Sequence, residues 1–172
     1  MNPESTWEMG VTQFSDLTQE EFAATYLNLR KQDLPEAESL YEDSTFVPNG
    51  TVDWSSSSGV STKVKNQGSC GSCWAFSTIS AVEAYFAVVK GQKNLDLSEQ
   101  QIVDCSKSGN QGCNGGWPYV ALAWVAKNGV TTTSAYPYTA RDGTCKTSTG
   151  AYKIGGAQKV AANQASLQSA IT

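Results

Sequence analysis

The chain has 172 residues, a net charge of −4 and no histidine, and 40% of its residues are hydrophobic. A chain of this size and composition can bury a core of its own, and no apolar run is long enough to span a membrane. Because no stretch clusters Lys or Arg with aromatic residues, we expect neither a nucleic-acid nor a membrane partner. Any imidazole base must come from outside these residues.

The first 48 residues contain no cysteine and many acidic residues. Within them, residues 18–21 (Thr-Gln-Glu-Glu) have the spacing of a capping box, which predicts a helix from Gln19 to about Leu29. Residues 33–48 include prolines and predict an extended, accessible segment. Asn49 opens an Asn-Gly-Thr sequon, which predicts a glycosylation site if the protein is secreted. The polar first ten residues contain no signal peptide, so a secreted protein would need one upstream.

Three helices are predicted in the middle of the chain. Residues 73–89 follow Ser72 as a cap and are apolar on nearly every side, so we expect this helix in the middle of the core. Residues 98–101 form a second capping box and predict a short helix that reaches Cys105. Pro118 opens a third helix, which stops at the next glycine.

Later residues change to turns and short extended pieces, so the predicted structure is mainly helical. A final helix is predicted after Asn163, which has the side chain of a cap. This last pattern has no stop signal before Thr172, and we expect a truncated sequence that ends within a helix.

An odd number of cysteines makes two pairs and leaves one thiol over, which indicates an oxidising compartment and one free cysteine. Counting alone leaves fifteen arrangements, from five choices of the free thiol and three pairings of the other four. The five are Cys70, Cys73, Cys105, Cys113 and Cys145.

Cys73 stands at the predicted start of the longest helix. Unpaired N–H groups and the helix dipole stabilise a thiolate at that position, and the thiolate is the nucleophilic form. The backbone N–H of Cys73 and the side-chain amide of Gln67, brought together by a Gly-Ser turn, could both donate to an oxyanion on an attacked carbonyl. These groups make half of an acyl-transfer site.

Three other interpretations of the cysteines were weighed. Cys73 could be a disulfide partner of Cys70 or a small buried thiol. The same pair could form a thioredoxin-like redox site, but the βαβ pattern expected around such a motif is missing. A zinc site of Cys70, Cys73, Cys105 and Cys113 has one plausible pair spacing, and its second pair lies too far apart.

The motif at residues 70–74 (Cys-Gly-Ser-Cys-Trp) resembles the local signature of papain-like cysteine proteases. The resemblance, of the cathepsin L type, covers about residues 51–172. Before it, residues 10–22 are similar to the end of that family's inhibitory propeptide. The other motifs that carry the resemblance are Val52-Asp53-Trp54, residues 64–68, residues 97–100, residues 103–105, residues 112–116 and Tyr136-Pro137-Tyr138.

This resemblance implies an α+β, papain-like fold, with the mainly helical left domain present and the β-rich right domain mostly missing. Residues 1–48 would be the C-terminal part of a propeptide and a linker, and residues 49–172 the first portion of the peptidase domain. Cys73 would be the nucleophile and Gln67 the oxyanion donor. Cys70 would pair with Cys113, and Cys105 with Cys145.

The resemblance also implies where substrate and propeptide bind. Trp117 and Pro118 would wall the apolar pocket for the substrate's second residue on the acyl side. The cleft would be lined by Gly71, Asn114, Gly115 and Gly116, whose glycines let a substrate backbone come close. The propeptide residues would be Phe14, Asp16 and Phe22.

One departure from the family pattern concerns the base. The family's histidine, oriented by an asparagine, is expected roughly 130 to 150 residues after the nucleophile, which lies past Thr172. We therefore expect a zymogen fragment, inactive alone, of an endopeptidase that acts through a Cys thioester. A catalytically inactive paralogue or a binding module is the alternative.

The expected partners are polypeptide substrates, the chain's own propeptide as an intramolecular inhibitor, and protein inhibitors of the cystatin type. No cofactor and no metal is expected. The resemblance implies a lysosomal, vacuolar or extracellular location.

Overall fold

A computed structural model describes residues 6, 8–27, 39–56, 59–60 and 64–172. Within these ranges no helix combines the length and apolar character needed to cross a membrane. The elements are α1 (Gln19–Tyr26), β1 (Leu40–Tyr41), a 3₁₀ helix (Trp54–Ser56), α2 (Cys73–Val89), α3 (Glu99–Cys105), α4 (Pro118–Asn128), β2 (Lys159–Val160) and α5 (Gln164–Ile171).

The core forms where α2 packs against α3 and α4. Helix α2 lies in the core as predicted but not in its middle, because Val88 and Val89 are 43% and 60% exposed while Glu83 is buried. The helix therefore has one buried face and one exposed face. Its buried apolar side chains join those of the neighbouring helices and loops in one cluster: Trp74, Ala75, Ile79, Val82, Phe86, Leu97, Ile102, Val103, Ala121, Val125, Val130 and Ile154.

Local signals set the ends of α3 and α4. The Ser98 side chain accepts a hydrogen bond from the Gln101 N–H, as expected of a cap. The predicted capping box is wrong in its second half, because the Ser98 N–H donates to the Thr131 carbonyl and Gln101 Oε1 accepts from the Thr131 N–H instead. Helix α4 begins with its proline and ends before Gly129, as predicted.

A buried ion cluster lies beside the core. Lys65 Nζ lies 3.0 Å from Glu83 and 2.6 Å from Glu99, and both carboxylates are almost fully buried. Burial alone would lower the pKa of Lys65, but hydrogen bonds to Glu99 and Glu83 outweigh it and the pKa is raised. Burial raises the pKa of Glu99, and the hydrogen bond from Lys65 reduces that rise. Nothing in the sequence pattern predicted this cluster, although Glu83 is the only charged residue of α2 and needs a partner when buried.

Short extended pieces complete the fold. Strands β1 and β2 pair in parallel, with Leu40 opposite Lys159. The Asp43 N–H donates to Ser166 Oγ at 2.9 Å, so the predicted extended segment contacts α5. Residues 33–38 of that prediction lie outside the described residues.

Helix α1 is held mainly by local contacts. Thr18 and Glu21 form the predicted capping box. The helix ends at Tyr26, earlier than predicted, and Leu29 lies outside the described residues. The rings of Phe14, Phe22 and Tyr26 pack together with centroids 5.1 to 5.4 Å apart, and we call these three side chains the aromatic trio. No residue of α1 is buried.

Candidate active site

Cys73 is the first residue of α2 and the one free cysteine, with a half-buried thiol. A residue in the first turn of a helix has a backbone N–H without an intrahelical acceptor, and the positive end of the dipole lies there. Ser72 occupies the cap position, but the prediction that its side chain caps the helix is wrong. Its hydroxyl lies 2.6 Å from the Tyr138 hydroxyl instead.

Gln67 lies six residues before Cys73 in the sequence, and a hydrogen bond fixes its side-chain amide. Its Nε2 donates to the Cys70 carbonyl at 2.8 Å. An amide nitrogen has two N–H groups, so this bond orients the amide and leaves one N–H for another acceptor. Gly68 follows at φ +61°, a backbone conformation that favours glycine, and its N–H donates to Asn66 Oδ1 at 2.8 Å. The Cys70 carbonyl therefore orients the Gln67 amide, and the role of that amide as an oxyanion donor stays a prediction.

Tyr138 connects these two parts of the site. Its hydroxyl donates to the Gln67 carbonyl at 2.7 Å and also meets Ser72. Its ring packs edge-on against Phe76 of α2, with centroids 5.0 Å apart. Burial raises the pKa of Tyr138, and the hydrogen bond with Ser72 opposes part of that rise. In the sequence Tyr138 is only part of a Tyr-Pro-Tyr motif, because nothing in the spacing shows where its hydroxyl points.

Two disulfides join Cys70 to Cys113 and Cys105 to Cys145, the pairing that the family resemblance implies. Cys70 is therefore not bonded to Cys73, which speaks against the redox interpretation. The zinc interpretation loses three of its four thiolates to these bonds.

The loop that begins at Cys113 lies against Gly71. The Gly71 N–H donates to the Cys113 carbonyl at 2.9 Å, and Gly71 pairs with Asn114 in a parallel bridge. Asn114 is exposed, and Gly115 is buried with φ +104°. This loop therefore lies beside the start of α2.

The backbone at Gly116 has no room for a side chain. A Cβ there would lie 2.7 Å from the Trp74 ring and 2.6 Å from Asn110 Oδ1, so the missing side chain makes room for the core. The part that Gly116 would take in lining the substrate cleft stays a prediction.

Trp117 and Pro118 stand at the start of α4. The Trp117 N–H donates to Asn110 Oδ1 at 2.7 Å, and the Pro118 carbonyl accepts a bond from Thr78 of α2. Both side chains are half-buried. Their role in a substrate pocket stays a prediction, as does glycosylation of the exposed Asn49.

The N-terminal segment meets the loop that carries Gln67. The Asn66 amide donates to Gln13 Oε1 at 3.2 Å. Asp16, predicted with the propeptide residues, is exposed. A cavity of about 480 Å³ lies between the segment and the loop, lined by Gln13, Phe14, Phe22, Tyr26, Leu27, Val64, Lys65, Asn66 and Gln67.

Comparison with known proteins gives a consistent result. A model of the papain family of cysteine proteases matches residues 48–172. Cathepsin L 2 of Paramecium tetraurelia is 47% identical over 148 residues, which are 84% of this chain and 46% of that protein. Digestive cysteine proteinase 1 of Homarus americanus is 45% identical, over 83% of this chain and 44% of that protein.

Solved structures agree with the sequence relatives. Digestive procathepsin L 3 from the larval midgut of Tenebrio molitor has a TM-score of 0.74 and 39% identity, covering 89% of this chain and 49% of that one. A recombinant stem bromelain precursor has a TM-score of 0.68 and 35% identity, covering 88% and 49%. The chain thus spans about half the length of the proteins it matches.

Proposed function

Because the chain belongs to the papain family of cysteine proteases, we propose that Cys73 is the nucleophile of a cysteine endopeptidase. The observation that carries this proposal is the position of the one free thiol, at the first residue of α2 and six residues after an oriented Gln67 amide. The helix terminus favours the thiolate, and the amide supplies a hydrogen-bond donor.

The reaction follows from these groups. The thiolate of Cys73 attacks a peptide carbonyl, and the negative charge that develops on the carbonyl oxygen is met by the Cys73 backbone N–H and the remaining N–H of Gln67. The C–N bond then breaks to leave a thioester, which water hydrolyses. The leaving amine needs a proton at this step, and the 172 residues contain no histidine to deliver it. The general acid of the whole enzyme would therefore lie outside these residues, and this chain alone would not hydrolyse peptides.

The N-terminal segment would act as part of an inhibitory propeptide in this enzyme. The Gln13–Asn66 hydrogen bond and the shared cavity bring residues 13–27 against the loop that carries Gln67, and procathepsin structures are among the similar proteins. The two disulfides support folding in an oxidising compartment, such as a lysosome, a vacuole or the extracellular space. Polypeptides would be the substrates, and cystatin-type proteins would be inhibitors.

Acylation of the purified chain tests the nucleophile separately from the missing acid. A p-nitrophenyl ester of an N-acyl amino acid needs no proton on its leaving group, so the native chain should acquire one acyl group at Cys73, located by peptide mass spectrometry. Rates should exceed those of the same chain unfolded in urea, and Cys73→Ser should not react. An amide substrate should remain intact.

Two results would count against the proposal. Equal acylation of the native and the unfolded chain would favour the inactive paralogue or binding module. Rapid hydrolysis of the amide substrate by the purified chain would show that the acid lies within these residues.

A further inference from the structure

The two donors of the proposed oxyanion site belong to different pieces of backbone. One is the N-terminus of α2, and the other is the side chain of Gln67 in the preceding turn. Their separation has to be fixed for both to reach one oxygen atom, since a misplacement of about 1 Å can cost on the order of a hundredfold in rate. The turn between them contains Gly68 and Gly71, residues that leave the backbone free to change shape.

A closed ring of hydrogen bonds spans this turn. Gln67 Nε2 donates to the Cys70 carbonyl at 2.8 Å, and the Ser72 N–H donates to the same carbonyl at 2.8 Å. The Ser72 hydroxyl meets the Tyr138 hydroxyl at 2.6 Å, and Tyr138 donates to the Gln67 carbonyl at 2.7 Å. Three members of the ring are within residues 67–72, and Tyr138 is the member that comes from far along the chain.

Proton counting fixes the direction of the bonds at Tyr138. A tyrosine hydroxyl has one proton, and here it goes to the Gln67 carbonyl, so the Ser72 hydroxyl must donate to the Tyr138 oxygen. The edge-on contact with Phe76 holds the ring against α2, the helix that Ser72 precedes. The tyrosine thereby connects the backbone of the Gln67 turn to the helix terminus through one atom.

We propose that Tyr138 is a positioning residue for acylation, whose hydroxyl sets the placement of the Gln67 amide relative to the N-terminus of α2. This inference rests on the proposed function of Cys73 and Gln67, and it goes beyond it by assigning a role to a residue outside the motif that carries them. Tyr138 itself does not touch the reacting atoms. Its removal should therefore impair oxyanion stabilisation and leave the thiol chemistry of Cys73 unchanged.

Two reactions of Cys73 separate these effects in the purified chain. Acylation by the p-nitrophenyl ester forms a tetrahedral oxyanion as the C–S bond forms, and the C–O bond to p-nitrophenolate then breaks. Alkylation by iodoacetamide displaces iodide at a saturated carbon and forms no oxyanion. Direct loss of an oxyanion donor costs about 10² to 10³ in rate, so a displaced donor should cost less. We expect Tyr138→Phe to slow acylation about tenfold, while the alkylation rate changes less than about twofold.

Tyr136→Phe is the matched control. Tyr136 likewise has a hydrogen-bonded hydroxyl, and it is buried where Tyr138 is half-buried, but its partners are the Asp104 carboxylate, the Thr144 carbonyl and the Lys146 N–H. Both rates should stay near the wild-type values in this variant. If Tyr138→Phe does not fold, Ser72→Ala removes the neighbouring bond of the ring and should show the same selective loss of acylation, by a smaller factor.

A double-mutant cycle tests whether Tyr138 acts through Gln67. Gln67→Ala should slow acylation by itself, and adding Tyr138→Phe should then have almost no further effect, because the group to be positioned is gone. If the double variant instead loses acylation rate by the product of the two single losses, the inference is overturned. So would a Tyr138→Phe variant in which acylation and alkylation fall equally, or in which neither changes.

The controls distinguish this inference from the proposed function. If the native wild-type chain is acylated no faster than the unfolded chain, the proposed function fails and the role of Tyr138 fails with it. If wild-type acylation is fast and Tyr138→Phe matches it, the nucleophile stands and only the positioning role is rejected.

Discussion

Two regions that meet at the Asn66–Gln67 loop are stabilised in different ways. The segment of residues 8–27 contains one helix with no buried residue, and its aromatic trio is only half-buried. Residues 64–154 contain a continuous core, two disulfides and a buried ion cluster. Local contacts dominate the first region, and long-range contacts dominate the second.

The difference matters for the proposed zymogen. An inhibitory segment has to leave without damage to the site it covers, and a region held by a cap, an aromatic trio and a side-chain hydrogen bond can open at low cost. The parts that place Cys73 and Gln67 do not depend on that region for their core contacts. Release of the segment should therefore leave the start of α2 and its turn as they are.

The largest expected effect is the loss of stability on truncating a core side chain in residues 64–154. Ile79 is fully buried in α2, so Ile79→Ala should lower the free energy of unfolding by about 2 to 5 kcal/mol. Phe22→Ala is the matched change in the N-terminal segment, and it should alter the same transition by less than about 0.5 kcal/mol. Urea unfolding followed by tryptophan fluorescence measures both. Equal losses would mean that the two regions form one cooperative unit.

Sequence signals predicted the parts of the fold that depend on neighbouring residues. Ser98 and Asn163 cap α3 and α5 by binding an N–H three residues later. Pro118 likewise opens α4 through its own backbone geometry. The start of α2 at Cys73 was predicted correctly, although the Ser72 side chain does not cap it. Most helix starts were therefore accessible from sequence.

Long-range contacts were not accessible in this way. The burial of Glu83 within an apolar helix depends on its partner Lys65, which lies 18 residues earlier in the chain. Tyr138 lies 71 residues from the Gln67 carbonyl that it binds, and no periodicity encodes that contact. Gly116 leaves no room for a Cβ because it lies against the Trp74 ring, which is 42 residues away in sequence. Each of these requires the tertiary structure.

A smaller loss of stability is expected on removing a helix cap, and the two regions each have a cap of the same type. Thr18→Ala should destabilise α1 by about 1 kcal/mol, because the Glu21 N–H loses its acceptor. Hydrogen exchange of the α1 amides should accelerate, while the urea midpoint of the core stays unchanged. Ser98→Ala removes a cap within the core together with a buried bond to the Tyr136 carbonyl, so it should lower the urea midpoint instead. A shift of the core midpoint by Thr18→Ala would contradict the separation of the regions.

The smallest expected effect is a pH trend of opposite sign in the two regions. Burial raises the pKa of Glu99 in the core, so the folded state keeps a proton that the unfolded state releases above about pH 4.5. The contribution of Glu99 to stability is therefore complete below that pH and is lost as the pH rises through the raised pKa. In the segment, hydrogen bonds from Thr18 lower the pKa of Glu21, so the contribution of Glu21 is present above about pH 4.5 and is lost as the pH falls.

Glu99→Gln and Glu21→Gln isolate the two trends. Between about pH 4 and 6, the stability of the wild-type core relative to Glu99→Gln should decrease with rising pH in urea unfolding. Over the same range, protection of the α1 amides relative to Glu21→Gln should increase, measured by hydrogen exchange corrected for the intrinsic pH dependence. Acidification would then destabilise α1 through Glu21, while Glu99 favours the folded core. The difference in stability between the two regions would therefore increase as the pH falls. Parallel trends in the two measurements would show that one folding equilibrium governs both.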